Sequence, residues 1–153
     1  MSTWYNSVVS DLSKIVDCID FYEVELGEAK YECGIKGGLE KLSAQLPGIT
    51  EHRFSQLQEI EAILEHLNIA LRKERSAVFR KYLEHYNRQL SSRDAEKYVD
   101  GEQSVIDLTQ LCNQFSLLRN RYLGILKGLD VKQWQIGHIT KLRTAGLEDI
   151  VID

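Results

Sequence analysis

YNSVVSDLSKIVDCIDFYEVELGEAKYEC, residues 5–33, is the stretch whose reading decides the fold. Its apolar positions fall at Tyr5, Val8, Leu12, Ile15, Ile19, Tyr22, Leu26, Ala29 and Cys33, an unbroken alternation of threes and fours. On a helix that spacing aligns the side chains on one stripe, the seam of a coiled coil. The stretch therefore predicts a long amphipathic helix whose stripe must be covered by another helix.

The residues that follow divide the rest of the chain. Gly34, Gly37 and Gly38 each weaken a helix by about 1 kcal/mol relative to alanine, so a kink or break is expected there before LEKLSAQL resumes the pattern. Pro47-Gly48 is expected to close a hairpin, which sets residues 1–46 apart as the heptad-bearing N-terminal region. A second helix over residues 50–90, N-capped by Thr50, carries Leu57, Ile60, Leu64, Leu67, Leu71, Val78 and Tyr82 on one stripe. Ser91 and Ser92 can cap a short turn of helix through RDAEKYV, and Asp100-Gly101 reads as the next break. The last helix, residues 102–146, carries Val105, Leu108, Cys112, Phe115, Leu118, Tyr122, Ile125, Leu129, Ile136 and Ile139 and stops at Gly146, leaving a tail over residues 147–153. The prediction is one all-α domain, a hairpin or bundle of long amphipathic helices with coiled-coil character.

Helices of about 35–40 residues would be about 50–60 Å long, against about 35 Å for a compact chain of this size. So thin a core leaves apolar stripes over, and homo-oligomerisation is expected to cover them. The candidate subunit contacts are Leu12, Ile15, Ile19, Tyr22 and Leu26 on the N-terminal seam, and Trp134, Ile136 and Ile139 near the C-terminus. The C-terminal set also fits an intramolecular core.

Nothing in the sequence has the form of a catalytic motif. GIKGGLEKL lacks the spacing of a phosphate-binding loop and follows a heptad run rather than a strand. His52, His66, His85 and His138 have no metal-ligating neighbour three or four residues away, and Cys18, Cys33 and Cys112 are odd in number and widely spaced. The expectation is a non-enzymatic protein with no metal or cofactor and with reduced thiols. MSTWYNSVVSDLSK lacks the basic and apolar regions of a signal peptide, and no apolar run approaches the ~20 residues of a membrane span. A cytoplasmic location is expected, with no membrane partner.

The net charge of −4 is unevenly spread. Residues 1–71 hold 5 Lys/Arg and 12 Asp/Glu, residues 72–93 hold 7 and 2, and residues 94–153 hold 7 and 9, so only one short segment is net positive. In that segment Arg72, Lys73, Arg75, Arg80, Lys81, Arg88 and Arg93 are interleaved with Phe79, Tyr82, His85 and Tyr86. Cations that track phosphates beside rings that stack on unpaired bases are what a sequence-tolerant single-stranded nucleic-acid binder needs. A basic helix face can equally be solvated or pair with the acidic N-terminal helix of its own bundle.

Three segments of the C-terminal half carry a family likeness: FRKYLEHY at 79–86, LLRNRYLGILKGL at 117–129 and DVKQWQIGHITKLRTAGLED at 130–149. Over roughly residues 72–146 the chain resembles the UvsY family of phage recombination mediators. The resemblance implies a protein that binds single-stranded DNA and helps load a RecA-like recombinase, working alongside a single-strand-binding protein. It places the family's DNA-contacting cations at Arg80 and its neighbours, with Tyr82 standing where a second cation is expected and Lys81 adjacent. The acidic N-terminal region and the tail LEDIVID have no counterpart in it. The rival expectation is a phage or bacterial protein that works through protein contacts alone, as an assembly protein, a small-terminase-like oligomer or an inhibitor of a host system.

Overall fold

The computed structural model describes residues 3–86 and 89–147, and it is all-α: among the described residues there are five α-helices, one short 3-10 turn and no strand. The helices are α1 (Trp4–Ser10), α2 (Ile15–Glu32), α3 (Leu39–His85), α4 (Ser92–Asp100) and α5 (Gln103–Thr144). No helix among the described residues is long and apolar enough to cross a membrane.

Local chemistry accounts for most of the boundaries. The Thr3 hydroxyl caps α1 by accepting from the Asn6 amide. Asp11 then interrupts the expected N-terminal helix. Its backbone is extended (φ −149°), and its carboxylate accepts from the Ser13 amide at 3.0 Å and the Ser13 hydroxyl at 2.8 Å, a local bonding pattern that competes with helix. The chain passes through the 3-10 turn Leu12–Lys14 before α2 begins. The Ser91 hydroxyl caps α4 by accepting from the Asp94 amide, and Gly101 ends it. Gly146, at φ 68°, terminates α5 in a Schellman arrangement, with the Leu147 amide donating to the Leu142 carbonyl at 2.9 Å and the Gly146 amide to the Arg143 carbonyl at 3.1 Å.

The hairpin expected at Pro47-Gly48 is not there. The chain turns at Gly34–Gly38 instead, where Gly37 takes φ 105°, and α3 runs straight through Pro47. Pro47 cannot donate to the Ser43 carbonyl, but Ser43 and Pro47 are both exposed, so water can hydrate the orphaned oxygen. The second helix accordingly begins at Leu39, not Thr50.

The chain divides into two compact units. One comprises Met1–Val16 with Glu59–Arg119, the other Asp17–Gln58 with Asn120–Asp153. The first has an apolar interior in which Val78, Val99 and Val105 form a cluster covered by Leu71, Phe79 and Tyr82. Each buried valine contributes on the order of 1.5–2 kcal/mol through removal of its surface from water. Tyr5 is tied in by its amide, which donates to the Glu59 carboxylate at 2.9 Å.

The second unit packs α2, the first half of α3 and the second half of α5 around Tyr22, Leu26, Ala29, Leu57, Tyr122 and Leu129. The Tyr22 and Tyr122 rings meet edge to face with centroids 6.0 Å apart. Burial in α2 follows Ile15, Cys18, Tyr22, Leu26 and Ala29, so Cys18 is fully buried while Ile19 is half-buried and Leu12 and Tyr5 are exposed. Once the Asp11 break resets the helix, the inward stripe follows the 3.6-residue turn rather than the strict heptad.

Polar groups are buried here too. Arg53, 2% exposed, donates to Glu32 through Nε (2.8 Å) and Nη2 (2.8 Å) and to Glu25 through Nη1 (2.7 Å). The Gln56 amide nitrogen donates to Glu25 at 2.7 Å, and Lys132, 4% exposed, donates to the Glu32 backbone carbonyl at 2.6 Å. No buried side-chain nitrogen or oxygen among the described residues lacks a partner. The carboxylates hold the Arg53 guanidinium charged well above its ordinary range, the Glu32 hydrogen bonds first and then Glu25, against the cost of burial. Partial burial pushes the Glu25 carboxyl up, but hydrogen bonds from Gln56 and Arg53 and the nearby positive charges outweigh it and leave it below its ordinary value.

Candidate nucleic-acid interface

The basic segment occupies the last turns of α3 and the start of α4, within the first unit. On α3 successive residues are rotated by about 100°, so Arg80 and Tyr82 point to nearly opposite sides. Lys73 and Arg80 share the outward face, away from Val78, and the tyrosines lean toward α4. The helix thereby separates Lys73 and Arg80 from the rings with which the sequence presents them as interleaved.

The rings gather instead into a cluster of three. Tyr82 stacks on Tyr98 of α4 with centroids 5.4 Å apart and planes 26° apart, and Tyr86 lies 6.0 Å from Tyr82 and 5.9 Å from Tyr98. Tyr82 is half-buried, while Tyr86 and Tyr98 remain 45% and 46% exposed. The Tyr82 hydroxyl donates to Glu102 at 2.8 Å, and that hydrogen bond raises its phenol above the ordinary value, so the ring stays neutral. Lys81 reaches the same carboxylate at 3.7 Å. Lys97 stands beside Tyr98 on a shallow hollow also lined by Leu90 and Asp94, and Arg93, one helical turn before Lys97, lies on the same side of α4.

Several of the expected cations already have acidic partners. Arg72 pairs with Glu65 at 3.0 Å and Arg75 with Asp100 of α4 at 2.7 Å. These partners lie on α3 and α4, not on the acidic N-terminal helix that the sequence offers as an internal counter-charge. All are exposed ion pairs, each contributing less than about 1 kcal/mol, so an incoming phosphate can exchange for the carboxylate. Lys73, Arg80 and Arg93 are exposed and have no ion pair among the described residues. Arg88 lies outside the described residues.

Tyr98 and Lys97 were not recognisable as site residues from sequence. They sit beyond the basic run in a helix expected only as a short turn, and only the α3–α4 packing brings Tyr98 onto Tyr82.

Of the residues expected at subunit contacts, Ile15, Tyr22, Leu26 and Ile136 are buried by the chain's own packing, and Ile19 and Ile139 are half-buried. Leu12, 39% exposed, and Trp134, 65% exposed, keep open surface. No group of three His, Cys, Asp or Glu is placed to hold a metal among the described residues, and Cys18, Cys33 and Cys112 form no disulfide.

No protein-family model matches this chain, and neither a curated protein nor a solved structure matches it.

Proposed function

We propose that the protein is a non-catalytic helical module that binds single-stranded DNA at the tyrosine cluster of α3 and α4, and that it acts, with copies of itself, as a mediator loading a RecA-like recombinase in the presence of a single-strand-binding protein. The observation that carries the binding step is the packing of Tyr82, Tyr86 and Tyr98 against one another, with two of the rings open to solvent beside Lys97. An exposed ring offers a stacking surface to any base, and neighbouring cations supply the attraction to the phosphates. The mediator role comes from the resemblance to the UvsY family, and cytoplasmic location follows from it.

Fluorescence anisotropy with a single-stranded 40-mer at low and moderate salt tests the reading. Tyr86→Ala and Tyr98→Ala should each weaken binding by about 1–3 kcal/mol with little change in salt dependence. Arg93→Ala with Lys97→Ala should weaken binding to every sequence and flatten the salt slope by about 0.7 for each phosphate that is no longer neutralised. Absence of binding by the unaltered protein at about 50 mM salt would remove this reading. The second reading, a protein that works only through protein contacts in assembly or inhibition, would then stand, favoured by the apolar side chains left exposed on α2 and α5.

A further inference from the structure

Within the second unit, the outward faces of α2 and α5 differ in charge and are alike in being apolar along their centres. On α2, Val24 (65% exposed) and Tyr31 (87% exposed) flank Gly27, where a side chain would meet nothing within 4 Å, so the face carries an open notch between two apolar ridges. Asp17, Asp20 and Glu28 surround it, exposed and with no ion pair among the described residues. On α5, Trp134 (65% exposed) stands proud between Val131 and Leu142. The flanking charges there are Lys127 and Lys141 with Asp130 between Lys127 and Trp134, all exposed and with no ion pair among the described residues, so the face is cationic on balance. Of the exposed charges with no ion pair among the described residues, α2 carries Asp17, Asp20 and Glu28 against Lys30, and α5 from Asn120 onward carries Lys127, Lys141 and Arg143 against Asp130.

We infer that these two faces are the halves of one contact between copies of this chain: the α5 face of one copy seats Trp134 at the Gly27 notch of the next, which brings one of the two lysines seven residues from Trp134 to Asp20, seven residues from Gly27, within the acidic field of Asp17, Asp20 and Glu28. The inference rests on the self-association in the reading above and is independent of nucleic-acid binding. Charge complementarity selects the occupant. Two α2 faces would bring acids together and two α5 faces would bring lysines together, whereas α2 against α5 joins opposite charges around an apolar centre. Because the two faces are different surfaces, the contact is heterologous, so a pair keeps one unused α2 face on one copy and one unused α5 face on the other, and association continues beyond a pair.

Two full-length variants test it by light scattering at micromolar concentration: Lys127→Glu with Lys141→Glu, and Asp20→Lys with Glu28→Lys. All four positions are exposed, and circular dichroism should show both variants folded. Each variant alone should associate at least tenfold more weakly than the unaltered protein, since both its faces now carry one sign. An equimolar mixture of the two should regain the full assembly mass, because each supplies the face the other needs. Trp134→Ala should also weaken association without lowering thermal stability. A monomeric unaltered protein would overturn the self-association reading and this contact together. An assembling protein whose charge variants keep their mass, or whose mixture regains none, would overturn the contact alone.

Discussion

At Gly128 the scale of a single methyl group is decisive. A Cβ there would lie 3.0 Å from the Cys33 Sγ, tighter than nine in ten packed contacts, so the thiol, which lies 3.7 Å from the Ile125 carbonyl, must shift by a few tenths of an ångström, although alanine is otherwise the better helix former by about 1 kcal/mol. Gly128→Ala should therefore destabilise the protein by up to about 2 kcal/mol in urea unfolding, the overpacking cost exceeding the propensity gain. In a Cys33→Ala background the same change should become stabilising by about 1 kcal/mol, and a double-mutant cycle reads out the sign reversal. Arg53 offers the opposite case, since its removal leaves Glu25 and Glu32 without their shared cation. Arg53→Met should cost about 3–5 kcal/mol by the same measurement. The stripe expected from sequence begins at Leu57, with Leu46 set apart at Pro47, and stops short of this position; only the unbroken α3 places Arg53 seven residues after Leu46 and seven before Ile60. A cation there announces a buried partner, but periodicity alone does not say which acid supplies it. Lys132 is the parallel case, filling the gap between Leu129 and Ile136.

Among the helices, α3 departs most from its sequence. Proline in a helix interior costs about 3 kcal/mol relative to alanine, through the missing donor and the clash of its ring with the preceding turn. Pro47→Ala should stabilise the protein by about 1–3 kcal/mol, seen as a rise in the urea midpoint at unchanged slope. A break at this proline was a sound local expectation, but packing of Leu46, Arg53 and Leu57 on both sides of the following turns holds the helix together. The reverse happened at Asp11, where an unbroken heptad hid a side chain able to bond its own backbone. The α5 stripe from Val105 to Leu129 and the Gly146 stop were legible because periodicity and capping agree there. The proposed binding face was legible only as composition. Whether a ring and a cation share a side depends on helical phase, and the neighbour that completes the ring cluster comes from a different helix.

At the level of the whole molecule, the two units differ in what holds them. The first relies on aliphatic packing around Val78, Val99 and Val105; the second encloses ionised groups. Glu25 is held below its ordinary value of 4.5, so its contribution is complete above that pH and is lost as the pH falls through the lower folded value. Acidification below pH 4.5 should therefore loosen the second unit first. Hydrogen exchange should show amides near Ala29 and Gln56 losing protection while those near Val78 and Val99 keep it; simultaneous loss would count against the distinction. The guanidinium pinned between Glu25 and Glu32 also acts as an alignment key. Leucine-rich helices can slide past one another by a turn, about 5.4 Å, and trade one apolar neighbour for another. A slide of α3 along α2 would instead strand one positive and two negative groups in the interior. α2 and α3 thus have a single workable setting, and replacing any one of those three residues alone leaves the charge of the others unmatched.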